Sequence, residues 1–346
     1  MSQTVGDLGE FGLIERLAEI LPPIKHEGLI GVGDDCAVIP GSVLFPQSSA
    51  GACFQVSTVD SFLEDVHFTK QFSSPSDVGY KVFAVNLSDL AAMGARPVYC
   101  LVSLVLPSDL EIQWIEDCYR GLSEAASSLG VYVLGGNISR SCQIGFHLTL
   151  VGSVVGAKPI LRSGAKVGHD LWVSGHLGFS HLGLQILMGR SLVSSEAADW
   201  LSRHTRPEPR LELGVALCKR GLASSAVDVS DGFLQDAQHL ARASGIGLLV
   251  DVDSVPVSPE SLRFADLKSL LSGGEDYELI FTAPVDLRPQ VVQLGQDLSL
   301  KLSRCGVVTE YNHAVSRMNF RGEAGENSAD SISKDLAGWP LGYRHF

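Results

Sequence analysis

Positive charge is in short supply in this chain. Its 346 residues carry 26 Lys and Arg against 39 Asp and Glu, a formal net charge of −13. No block of clustered Lys and Arg occurs, which argues against phosphate-backbone binding and hence against a nucleic-acid partner. No run of roughly 18 uncharged apolar residues occurs, so no membrane span is expected. The opening MSQTVGDLGEFGLIERL has no basic stretch leading into an apolar one. It does not read as a signal peptide, and the cytoplasm is the expected compartment. The seven cysteines, Cys36, Cys53, Cys100, Cys118, Cys142, Cys218 and Cys305, include no C-x-x-C pair. They read as buried or reduced thiols, not as a disulfide framework or a zinc site. The phosphate-cradling G-x-x-x-x-G-K-[ST] loop, the protein-kinase motif set and the G-x-S-x-G elbow are also missing. His67, His176, His181 and His239 show no metal-ligand spacing with one another.

With 45% hydrophobic and 19% charged residues the composition is globular, and the length suits two ordinary domains or one large one. Apolar spacing predicts helices over Phe11–Leu21, Val78–Met93, Ile112–Leu129 and Phe233–Ala243. Strands are predicted at Phe54–Thr58, Phe146–Val155, Leu171–Ser174, Ala226–Val229, Gly247–Val252 and Tyr277–Thr282, with a short buried one at Val131–Leu134. The composition shifts at Gly156–Gly168, where a domain boundary is expected. Interleaved strands and helices in both halves indicate an α/β or α+β class.

The informative feature is where aspartates sit. Asp34 and Asp35 are adjacent in G-V-G-D-D, and Asp60 is expected to end a strand in S-T-V-D-S. Asp89 lies in N-L-S-D-L-A-A-M-G, Asp228 and Asp231 in D-V-S-D-G, and Glu275 in G-G-E-D-Y-E-L. Taken singly, each has a bland reading as a turn or a cap. Asp89 differs, because Val82, Asn86, Asp89 and Met93 recur on one helical face, and two polar groups on an apolar stripe are costly to bury unpaired. Taken together, these residues are expected at strand-to-loop and loop-to-helix junctions, where α/β proteins bind ligands. Convergence would demand cations, since two carboxylates about 4 Å apart repel by about 4 kcal/mol at an effective dielectric near 20. Hard oxygen ligands suit magnesium, which can join an acidic site to an anionic nucleotide.

The ordered set of motifs resembles one family, thiamine-monophosphate kinase, of the PurM-like ATP-binding superfamily. The resemblance runs nearly end to end, through G-E-F-G-L-I, G-V-G-D-D-C-A-V-I, D-S-F-L-E-D-V-H-F, G-Y-K-V-F-A-V-N-L-S-D-L-A-A-M-G-A-R-P, L-R-S-G-A-K, V-D-V-S-D-G, S-G-G-E-D-Y-E-L and the terminal G-Y-R-H-F. It implies a two-domain PurM-like fold of α/β (α+β) class. Residues 1–155 would form a mixed-sheet domain that pairs in a homodimer, and 156–346 a C-terminal α/β domain. It implies transfer of a phosphoryl group from ATP to thiamine monophosphate, with several Mg²⁺ ions. By position, Asp35, Asp60, Asp89, Asp228 and Asp231 would be catalytic metal ligands, helped by Thr58, the Val59 carbonyl and Asn137. Tyr119, Gly136, Arg162 and Ser230 would lie along the nucleotide. His67, Glu275 and one of Trp339 or Tyr343 would contact thiamine monophosphate. Three positions depart from the family pattern. Asn137 stands where the family has aspartate, Asp65 where it has glycine, and His169 where a turn aspartate is common. Two alternatives stay open at this stage. One is another PurM-like enzyme, such as an aminoimidazole ribonucleotide ligase or a selenophosphate synthetase. The other is a non-catalytic nucleotide-binding relative.

Overall fold

The computed structural model describes residues 28, 30, 34–44, 53–310, 317–319 and 342. The helix expected at Phe11–Leu21, and the positions Trp339 and Tyr343, lie outside them. Two sheets organise the described residues. The first comprises β1 (Ala37–Pro40), β2 (Cys53–Leu63), β3 (Arg96–Leu106), β4 (Tyr132–Arg140) and β5 (Gly145–Val155), in the order β1-β2-β5-β3-β4. Its neighbours run antiparallel except β3 and β4, which are parallel. A parallel pair needs a crossover, and the helix Ile112–Ser128 supplies it. The second sheet comprises β6 (Asp170–Ser174), β7 (Ser225–Asp228), β8 (Gly247–Asp251), β9 (Leu279–Ala283), β10 (Leu302–Thr309) and β11 (Arg317–Asn319), in the order β11-β8-β10-β6-β9-β7.

The helices are α1 (Gly41–Leu44), α2 (Pro75–Ala92), α3 (Ile112–Ser128), α4 (Phe179–Leu187), α5 (Ala197–Thr205), α6 (Leu211–Arg220), α7 (Phe233–Ser244), α8 (Leu267–Ser272) and α9 (Arg288–Asp297). α2 is the hub. It packs on β2, β3 and β5 of the first sheet and also on α6 and β7 of the second half. Its start is set by Ser74, whose side chain accepts the Asp77 N–H at 3.1 Å, and by Pro75 in the first turn. Val78, Val82, Phe83, Leu87 and Leu90 are buried, as are Lys81, Asn86 and Ser88. A helix buried on most of its surface has no solvent face on which to place polar groups, so these must serve contacts inside the protein.

Two expectations change. The segment expected as a short buried strand at Val131–Leu134 is a longer edge strand, Tyr132–Arg140, exposed along its whole length. Its apolar run reads as core, but among the described residues β4 pairs on one side only and lies at the end of the sheet order. Asp60 does not end a strand. It sits within β2, opposite Leu148, because the strand continues to Leu63.

Candidate active site

Four segments far apart in sequence deliver carboxylates to one place. Asp35 precedes β1, Thr58 and Asp60 project from β2, Asp89 lies in the last turn of α2, and Asp228 ends β7. Oxygens of Asp35, Asp89 and Asp228 all lie within 4.8 Å of one another. Thr58 Oγ1 donates to Asp89 Oδ2 at 2.5 Å, and Ser88 Oγ donates to Asp228 Oδ2 at 2.6 Å. Arg162, in the segment joining the two sheets, donates from Nη2 to Asp35 Oδ1 at 2.6 Å. Its backbone N–H lies 3.2 Å from both carboxylate oxygens of Asp34.

Among the described residues, the cluster holds more negative charge than the Arg162 guanidinium balances. Burial, then repulsion from Asp35, pushes Asp34 and Asp60 up to about 6 and Asp228 up to about 7. Asp89 rises well above the carboxylate range, through burial and then Asp60, Asp228 and Asp35. Asp35 Oδ2 is buried without a hydrogen-bond partner. A buried carboxylate oxygen left in that state loses its hydration with nothing in return. Hard oxygen donors, mutual repulsion and an orphaned oxygen together fit a divalent cation of the magnesium type.

These shifts set a pH dependence. A carboxyl raised in the folded protein adds stability that is full below its unfolded value of about 4 and is lost as pH rises through the folded value. With Asp34 and Asp60 at about 6 and Asp228 at about 7, the metal-free protein should lose stability between pH 5 and pH 7. Thermal melts in chelator and in Mg²⁺ at both pH values measure this. The stabilisation by Mg²⁺ should be larger at pH 7, where protons no longer compete for the oxygens.

A second group forms beside the first. Asp231, Asp236 and His239 bring ligand atoms within 4.8 Å of one another. Asp236 Oδ2 accepts three successive backbone N–H groups, from Ser230, Asp231 and Gly232, at 3.0–3.1 Å. This side chain fixes the loop that follows β7, and it occupies the N–H groups a phosphate would otherwise meet. Neither Ser230 nor Asp231 caps α7, since the N-cap is Gly232. A Cβ at Gly342 would lie 2.5 Å from the Asp231 carbonyl oxygen, so the G-Y-R-H-F segment reaches this loop at its glycine.

Glu275 lies beside the loop, and its N–H donates to the Ser230 carbonyl at 2.7 Å. Its carboxylate meets Lys81 Nζ at 3.0 Å. The Leu63 N–H donates to His67 Nδ1 at 3.0 Å, which leaves the proton of the neutral ring on Nε2. Phe62 stacks on the His67 ring. Asp65, two residues before His67, has φ 61°, the left-handed conformation for which glycine is favoured.

The other expected residues lie on β2, β4 and α3. Asn137 is exposed on β4 and its amide donates to Ser139 at 3.0 Å. Val59 lies between Thr58 and Asp60 on β2 and is 63% exposed. Tyr119 lies on α3, partly exposed. Gly136 is required by packing, because a Cβ there would fall 1.8 Å from the Val102 carbonyl oxygen. Sequence reasoning missed Ser88, Asp236, Lys81 and His204. Ser88 and Lys81 share α2 with Asp89 and could have been found from helical spacing. Asp236 carries the weaker signal of an acid in the first turn after D-x-S-D-G. Nothing near His204 marks it.

Residues 33–157 match the family described as AIR synthase related protein, N-terminal domain, and residues 166–319 match its C-terminal domain. Fold and acidic site thus define a PurM-like, AIR-synthase-related protein. Within that class, the thiamine-monophosphate kinase of Salmonella typhimurium is 39% identical over 285 residues, covering 80% of this chain and 83% of its own. The solved structure of AaThiL complexed with AMPPCP and TMP superposes with a TM-score of 0.81 at 31% identity, over the full length of both chains. The thiamine-monophosphate kinase of Stenotrophomonas maltophilia superposes at 0.71 and 33% identity, over 89% of this chain and 94% of its own. The chain belongs to the thiamine-monophosphate kinase family. Among the described residues no helix is long and apolar enough to cross a membrane.

Proposed function

We infer that this chain transfers the γ-phosphoryl group of ATP to the phosphate of thiamine monophosphate, giving thiamine diphosphate and ADP. The observation that carries this reading is the convergence of Asp35, Asp89 and Asp228 beside Arg162, in a chain of this family. The acceptor is itself a phosphate whose second pKa is about 6, so near neutral pH it is largely a dianion. It needs no strong general base, and the difficulty is to bring two anions together in line. Asp35, Asp60, Asp89 and Asp228 would hold magnesium, which when bound supplies charge neutralisation for the phosphates.

The rest falls to the chain's own groups. Asp35 fixes the Arg162 guanidinium through one nitrogen, and Arg162 Nε is buried with no hydrogen-bond partner. Arginine has five N–H donors, so Arg162 keeps donors for a phosphate. Thr58 holds Asp89 and Ser88 holds Asp228, which orients both carboxylates before any ligand arrives. Asp236 holds the loop, from which the Ser230 hydroxyl and the Asp231 carboxylate would meet the nucleotide. Tyr119, Gly136 and Asn137 would line the rest of the nucleotide site. His67 and Glu275, with a residue of the C-terminal segment (Trp339 or Tyr343), would take the thiamine monophosphate.

The same reading divides the chain within Gly156–Gly168, pairs two copies through their N-terminal halves and puts the protein in the cytoplasm. Pairing is supported by β4, an edge without a second partner among the described residues, which exposes Tyr132, Leu134 and Ile138 at 68%, 64% and 71%. Direct transfer is tested with ATP made chiral at the γ-phosphorus by oxygen isotopes. One in-line displacement inverts the configuration in thiamine diphosphate. Retention would mean two displacements through a phosphorylated side chain.

A further inference from the structure

The carboxylate of Glu275 is gripped from two sides by residues that the reading above leaves without a role. Lys81 comes from the first half of the chain, in the middle of α2, and its side chain is only 5% exposed. Its ammonium lies 3.0 Å from Glu275 Oε1. On the other side, His204 Nδ1 of α5 lies 3.4 Å from Glu275 Oε2 and 3.0 Å from Ser180 Oγ. Burial, then the nearby Lys81 charge, brings His204 down to about 4, so it is neutral at pH 7. Of the two partners, Lys81 lies nearer to the carboxylate. Although burial works against ionisation, Lys81 holds the Glu275 carboxyl below its ordinary range.

The backbone at this point is strained and pinned. Glu275 and Tyr277 have φ of 67° and 50°, a backbone region that residues other than glycine rarely adopt. Between them the Asp276 carboxylate accepts the Gly178 and Ser180 N–H groups at 2.8 and 3.3 Å. The Glu275 and Tyr277 N–H groups donate to the Ser230 and Val229 carbonyls at 2.7 and 2.8 Å. Strain persists where the surroundings over-determine a conformation, and such places cluster at ligand sites. A buried ion pair is also a poor route to stability, since well-packed apolar side chains often do as well or better. Stability therefore does not account for Lys81. The Glu275 side chain remains 28% exposed, so a ligand can reach it.

We propose that Lys81 is a positioning residue for the acceptor substrate, holding the Glu275 carboxylate in place to receive the cationic ring end of thiamine monophosphate. The assignment rests on the functional reading given above. An ionised carboxylate repels a phosphate, so Glu275 faces the part of the substrate that carries positive charge. Lys81 acts through Glu275 and touches neither reacting phosphate. Its removal should affect recognition of the acceptor more than turnover.

The experiment is steady-state kinetics on the full-length protein and on Lys81→Met, Lys81→Arg, Glu275→Gln and the double variant Lys81→Met/Glu275→Gln. The double variant leaves no uncompensated buried charge and keeps the question answerable if Lys81→Met folds poorly. The expected result is a KM for thiamine monophosphate raised about 10-fold or more in Lys81→Met, with kcat and the KM for ATP within about 3-fold of wild type. Lys81→Arg should recover part of the loss. The double variant should match Glu275→Gln alone, because the lysine acts only through that carboxylate. An active wild type alongside Lys81→Met with unchanged KM overturns the inference alone. So does a double variant whose KM returns to the wild-type value, or rises well above that of Glu275→Gln. A wild type that forms no thiamine diphosphate overturns the functional reading, and this inference with it.

Discussion

Replacing Asp89 by Asn should lower turnover by about 10³-fold or more while leaving the metal-free protein as stable as wild type, or more so. The loss follows from position. Asp89 is one of three carboxylates whose oxygens converge within 4.8 Å, and it comes from α2, the helix that joins both halves. An amide keeps an oxygen for the Thr58 hydroxyl but gives up the charge that a divalent cation needs. The stability arises from the same charge. Burial and three neighbouring aspartates disfavour the Asp89 carboxylate without a cation, so a neutral isostere relieves repulsion in the metal-free protein. Activity should collapse in a direct product assay while the melting temperature in chelator holds or rises. An Asp89→Asn protein with full turnover at saturating Mg²⁺ would remove Asp89 from the mechanism. One that melts far below wild type in chelator would make its role structural.

The largest stability effect should come from a residue with no part in the chemistry. α2 and α3 meet through two glycines. A Cβ on Gly79 would fall 1.7 Å from the Cys118 carbonyl oxygen, and one on Gly121 would fall 1.8 Å from that of Ser76. Both obstacles are backbone, so relief requires the helices to separate. Gly79→Ala should cost about 3 kcal/mol or more, a fall in melting temperature on the order of 5–10 °C. The same helix carries Asp89 to the carboxylates, so the surviving folded protein should also turn over more slowly. Gly130→Ala is the control. Its φ is 67° with no heavy atom within 4 Å of the added Cβ, so only the backbone strain of about 1 kcal/mol applies. Equal melting temperatures for the two variants would contradict the close helix packing.

Much of the acidic cluster was legible in the sequence, because its members lie in short motifs at element ends. Asp35, Asp89 and Asp228 come together in the structure as their motifs suggested. Asp231 belongs to the neighbouring group with Asp236 and His239. The longer helices and most strands were legible too, since α2, α3 and α7 carry apolar residues at helical spacing. Exposure of β4 was not legible. Tyr132, Val133 and Leu134 look like core, and only the strand order at the end of the sheet leaves them open. The partners that orient the site were also hidden. Ser88 to Asp228 spans 140 positions, and Lys81 to Glu275 spans two halves of the chain. Local spacing does not encode such pairings. The positive φ of Asp65, where the family pattern has glycine, is a case in which sequence and structure agree on the backbone and differ on the side chain.

Phosphoryl transfer between two phosphates at an acidic site should depend on a divalent cation. Its most direct test is to incubate the purified protein with ATP and thiamine monophosphate, with and without Mg²⁺, and to quantify thiamine diphosphate by chromatography. Thiamine diphosphate and ADP should form in equal amounts, only when Mg²⁺ is present. ATP that stays intact beside thiamine monophosphate and Mg²⁺, or ADP released with no thiamine diphosphate formed, would contradict it.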